Sequence, residues 1–96
     1  MVYLQASIKL YPGKLQDFTK LINTLLPLVG KHGWKLHGSY ATVAGRLNTV
    51  MDLWEVPDPN AVQAVLSDPE FAKYAPQINE IVEDEVLTIL TKLPIG

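Results

Sequence analysis

The sequence has no cysteine, so disulfides, thiolate zinc sites, iron-sulfur clusters and cysteine nucleophiles are all excluded. It has no apolar run of the length needed to span a bilayer. Its start, Met1-Val2-Tyr3-Leu4-Gln5, lacks the basic and apolar regions of a secretory leader, so the expected location is cytoplasmic and no membrane partner is expected. Bases are few: eight Lys and Arg against ten Asp and Glu give a net charge of −2, which argues against a nucleic-acid partner. No P-loop, GxSxG, HExxH or dinucleotide fingerprint occurs.

What remains is ordinary globular material. The 96 residues are 48% hydrophobic and 19% charged, enough for one core and one domain spanning 1–96. The charges are unevenly divided. Residues 1–50 hold six of the eight bases and a single acid, Asp17, whereas 51–96 hold the other nine acids. Interleaved halves of one small domain then make complementary contacts within or between subunits.

Residues 2–10 alternate, with Val2, Leu4, Ala6, Ile8 and Leu10 on one side, which predicts a strand with one buried face. Pro12-Gly13 breaks it, and Leu15, Phe18, Leu21, Ile22, Leu25 and Leu26 recur at helical spacing. Pro27 should kink or end that helix, with the exit between 26 and 33. Trp34–Ala44 and Thr49–Val56 read as a hairpin around Gly45-Arg46-Leu47-Asn48. Ala61–Leu66 is a short helix, Ser67-Asp68-Pro69 starts another, and Glu85–Leu93 alternates as a last strand ended by Pro94. This order gives an α+β fold, a ferredoxin-like βαββαβ two-layer sandwich with an antiparallel sheet. Helices cover one sheet face only. Side chains such as Tyr3, Val50 and Trp54 are expected on the other, an apolar face that a second copy of the chain could bury.

Several segments together resemble the NIPSNAP-like proteins of the dimeric α/β-barrel superfamily: Tyr11-Pro12-Gly13-Lys14, Lys31-His32-Gly33, Gly38-Ser39-Tyr40, Gly45-Arg46-Leu47-Asn48, Leu53-Trp54-Glu55, and Asp68-Pro69-Glu70-Phe71 near Tyr74. The resemblance runs along nearly the whole chain. It implies a homodimer in which two four-stranded sheets pack face to face into a barrel, with a pocket in each subunit's share. It implies no agreed reaction, because the superfamily includes cofactor-independent and haem-degrading monooxygenases, lactone isomerases and plain binding domains.

With Leu4, Ala6 and Ile8 facing the helices, Tyr3, Gln5, Ser7 and Lys9 face the lumen. On the third strand, Thr49, Met51 and Leu53 suit the helix side, which places Asn48, Val50, Asp52 and Trp54 on the lumen side. Asp52 stands out there: a carboxylate on a central strand must be paired, hydrated or raised in pKa. It serves either as a general base or as a partner that fixes register and dimer geometry. Trp54 and Tyr40 either hold a flat ligand or anchor an interface. His37 on the second strand is either an acid, base or haem-ligand candidate or a surface or structural residue, whereas His32 belongs to a turn. The two histidines are poorly placed to share a metal, and neither a metal nor a cofactor is expected. Asn48 stabilises its turn or touches a ligand. An RNA-recognition domain shares this topology, but the strand Thr49–Val56 is acidic and carries one aromatic.

The leading expectation is a homodimer that binds a small, partly apolar molecule in the lumen, with Tyr3, Gln5, Tyr40, Asn48 and Trp54 as ligand contacts. The alternatives are a cofactor-free monooxygenase or isomerase using Asp52 or His37 as base, and an association domain with no ligand.

Overall fold

A computed structural model describes residues 2–96. The element order is β1 (Val2–Leu10), α1 (Leu15–Gly30), β2 (Lys35–Ala41), β3 (Thr49–Val56), α2 (Asn60–Leu66), α3 (Pro69–Ala72), α4 (Ala75–Ile81) and β4 (Val82–Leu90). The four strands form one antiparallel sheet in the order β2-β3-β1-β4, with the helices layered on one face, as the alternation and helical spacing predict.

The buried face of β1 is the even-numbered set: Leu4, Ala6, Ile8 and Leu10 are each 1–4% exposed. They pack under Phe18, Leu21, Leu25, Leu28 and Val29 of α1. Each fully buried large aliphatic contributes about 1.5–3 kcal/mol. Helix α1 runs one turn past Pro27, because Leu28 and Val29 belong to this core and the amide of Lys31 donates to the Pro27 and Leu28 carbonyls. The exit at Gly30 lies within the expected span. Gly33 follows with φ +83, where a Cβ would meet Pro57 at 2.6 Å, so only glycine fits this crossing.

The larger differences from the sequence reading are the split of the helix begun at Pro69 into α3 and α4 and the ends of two strands. Strand β2 stops at Ala41 rather than Ala44. Strand β4 covers 82–90, not 85–93, because Val82 leaves α4 directly for the sheet with no glycine or proline to mark the change. At the start of α3, Asp68 caps the helix by accepting from the Glu70 amide at 2.9 Å, with Pro69 in the first turn.

The charge asymmetry of the two halves is spent inside the domain. Lys9–Glu83, Lys31–Glu70, His32–Asp68 and His37–Glu55 each join a base of the first half to an acid of the second. His32 and Asp68, 2.8 Å apart, tie the end of α1 to the cap of α3. That bond, with the Glu70 amide, holds the Asp68 carboxyl below the usual carboxylate range.

Among the described residues, no helix is long and apolar enough to cross a membrane.

Candidate functional site

The register between β1 and β3 decides which side chains can meet. Leu4 pairs with Trp54, Ala6 with Asp52 and Ile8 with Val50, and directly opposed residues of antiparallel strands share a face. Val50, Asp52, Trp54 and Val56 therefore point toward the helices, each 0–4% exposed. This reverses the phase read from the sequence, which put Val50, Asp52 and Trp54 on the uncovered face. Thr49, Met51, Leu53 and Glu55 take that face instead. The physical reason is that the even set of β3, once Val56 is included, is the more apolar, and burying it outweighs the cost of one carboxyl.

One transverse row of the sheet forms the floor of a cavity. Ser39 of β2 pairs with Asp52 of β3, Asp52 with Ala6 of β1, and Ala6 with Leu87 of β4. The small side chain of Ala6 in the middle of that row leaves space that Phe18, Leu21 and Leu25 roof over without filling. The result is a cavity of about 90 Å³ between sheet and helices, closed at one end by Trp34 and Trp54. That is well above the ~10–15 Å³ required to seat one water. Leu87 and Glu85 line the other side and are exposed, so the cavity opens at the β4 edge.

Asp52 is the fully buried polar group of this largely apolar chamber. It is 1% exposed, and the Ser39 hydroxyl donates to its Oδ1. Burial pushes its carboxyl above the usual range, and the Ser39 bond partly offsets this. Glu85, paired with Ile8 one row along, faces the same chamber. Its carboxyl is also raised, first by desolvation and then by the charge of Asp52. Solvent at the mouth screens Glu85 more than Asp52. Sequence reasoning missed both Ser39 and Glu85. Glu85 had a signal, since it shares the parity of the apolar Leu87 and Ile89. Ser39 had none, because its face depends on an irregularity at His37, where β2 gains one residue against β3.

The other predicted site residues lie elsewhere. Tyr3, Gln5, His37 and Tyr40 are on the uncovered face. The rings of Tyr3 and His37 meet edge to face at 5.6 Å, and His37 Nε2 is 3.4 Å from Glu55 Oε1. His37 and Asp52 thus sit on opposite faces and cannot act on one substrate within a chain. The Tyr40 ring occupies the space that a Cβ at Gly38 would need, 2.5 Å from its hydroxyl. Asn48 is not on β3. It sits in the turn with φ +60, and its carbonyl accepts from the Leu10 amide at 2.7 Å. A shallow groove on the uncovered face runs beside Tyr3, His37, Leu53 and Leu90. Trp54 stacks edge to face on Trp34 at 5.4 Å, and the Trp34 indole donates to the Ala61 carbonyl, so Trp54 is a wall of the chamber rather than of that groove. Among the described residues, no group of three or more His, Asp or Glu could hold a metal ion.

Residues 3–96 match the sequence model of the NIPSNAP family. No curated protein matches the chain. Among solved structures, an uncharacterized NIPSNAP domain protein from Burkholderia xenovorans is 21% identical, with a TM-score of 0.82 over 100% of this chain and 98% of that one. A NIPSNAP family protein with unknown function from Agrobacterium tumefaciens is 17% identical, with a TM-score of 0.83 over 100% and 91%. An antibiotic biosynthesis monooxygenase is 17% identical, with a TM-score of 0.71 over 98% and 100%. At these identities the structures share the ferredoxin-like fold alone. The chain belongs to the NIPSNAP family.

Proposed function

We propose that this NIPSNAP family member is a cytoplasmic homodimer that binds a small, largely apolar molecule in the chamber between sheet and helices, with Asp52 as its polar anchor. The observation that carries the reading is a carboxyl 1% exposed, bonded through one oxygen to Ser39 and placed beside the gap left by Ala6. Buried carboxyls are expensive, and a fold keeps one where it has a use for it. The dimer is supported by the uncovered face, where Tyr40, Met51 and Val86 are 59%, 37% and 56% exposed in one row across the sheet, with Ser7 between Met51 and Val86. Native mass spectrometry of the purified protein tests both parts: the reading expects a dimer with added mass per subunit, and a bare monomer would overturn it.

A second reading, proton transfer, is favoured by the raised carboxyl of Asp52, which suits a base acting on an activated carbon acid or phenol. It excludes His37, which lies across the sheet. Turnover of such a substrate that survives Asp52→Asn rejects it.

A further inference from the structure

We infer that the ligand of this chamber is a small amine, its ammonium received between Asp52 and Glu85 and its short apolar body lying over Ala6 toward Trp54. The inference rests on the reading of the chamber as a ligand site and names the chemical class that site selects.

The charge of the lining is one-sided. Asp52 and Glu85 face the chamber from β3 and β4, on either side of β1, and among the described residues no Lys, Arg or His lines it. Asp52 uses Oδ1 to accept from Ser39, and among the described residues Ser39 is the one side chain bonded to it. That bond engages one of the two carboxyl oxygens. Glu85 stands diagonally across Ala6 and Ile8, so a group seated over Ala6 lies between the two carboxyls.

The three common polar heads fare differently here. A carboxylate or phosphate would add a further negative charge to two that already repel in an apolar enclosure, with no base to receive it. A neutral hydroxyl donates one bond and leaves the other carboxyl as it was. An ammonium brings three donors and the opposite charge, and bonds between ionised partners are roughly twice as strong as neutral ones. The open side at Glu85 and Leu87 gives a charged head a wet route in, while the Trp34 and Trp54 end suits hydrocarbon.

The test uses three probes of one chain length, butylamine, butanol and butyrate, titrated at pH 7.5 into the full chain while the methyl resonances of Ala6 and Leu87 are followed by NMR. Butylamine is expected to shift both and saturate at least about tenfold below butanol, with butyrate inert. Glu85→Gln and Asp52→Asn should each weaken butylamine by about tenfold, a larger loss than either causes for butanol. Glu85 lies at the mouth, so its variant keeps the test valid if Asp52→Asn folds poorly. Equal or tighter binding of butanol or butyrate, or butylamine binding untouched in Glu85→Gln, overturns the amine while leaving the chamber as a ligand site. No response from Ala6 and Leu87 to any of the three overturns the ligand site itself.

Discussion

Ser39 and Asp52 face each other across β2 and β3, and the serine hydroxyl donates to Oδ1 of the carboxyl beneath the helix layer. The bond holds a charge-bearing group in place beneath the helices. Residue 39 reaches this position because β2 carries one extra residue at His37, which shifts the remainder of the strand against β3. Tyr40 then falls on the opposite face, packed over Gly38.

Removing that donor should raise the Asp52 carboxyl further, since the Ser39 bond is what opposes desolvation. In Ser39→Ala, carboxyl-detected NMR titration should show Asp52 titrating at higher pH than in the wild type, with a stability loss of about 1.5–3 kcal/mol at neutral pH, the usual worth of a hydrogen bond to a charged group. An unmoved titration would show that Ser39 does not set the state of Asp52.

The folded-state pKa of Asp52 is raised, so its contribution to stability is fully present below its unfolded pKa and is lost as pH rises through the folded value. Asp68 has the opposite sign: its folded pKa is lowered, and its contribution is lost as pH falls through that value. Asp52→Asn should therefore be more stable than the wild type at pH 7–8 and lose the decline on the alkaline side of the carboxylate range, while the acid loss from Asp68 persists. Denaturant midpoints between pH 3 and 8 measure both slopes.

Filling the chamber should separate binding from folding. Ala6→Leu places a larger side chain where the cavity lies, at an overpacking cost of about 1–3 kcal/mol. A cooperative thermal transition is expected to survive in this variant, and small-molecule binding to be lost. Retained binding would move the site elsewhere.

The uncovered sheet face makes a separate prediction. Met51→Lys puts a charge at its centre, opposite Ser7 and Tyr40 and on the sheet face away from the chamber. Sedimentation should report a dimer for the wild type and a shift toward monomer for the variant. A wild type that is monomeric at micromolar concentration would contradict the proposed dimer.

Much of this architecture was legible in the chain. The alternation of Leu4, Ala6, Ile8 and Leu10, the helical spacing from Leu15 to Leu26 and the Asp68-Pro69 start each carry a local signal that the fold keeps. The site was legible only in part. Asp52 was visible as a carboxyl on a central strand, but both faces of β3 offer apolar residues, and a charge among them drew the phase toward the open side. The partner strand settles it: Leu4 opposite Trp54 and Ala6 opposite Asp52 fix both to the buried face. Ala6 looked like any small residue in a strand. Its role depends on a cavity between layers, which no local pattern encodes.

On the reading proposed above, the chamber beneath the helices, rather than the open face, receives the ligand. A methyl-resolved NMR screen of small fragments on wild type and Ala6→Leu tests it most directly. Fragments are expected to perturb the Ala6, Leu21 and Leu87 methyls of the wild type, and these responses are expected to vanish in Ala6→Leu. Perturbations confined to Leu53, Leu90 and the rings of Tyr3 and His37, equal in both proteins, would contradict it.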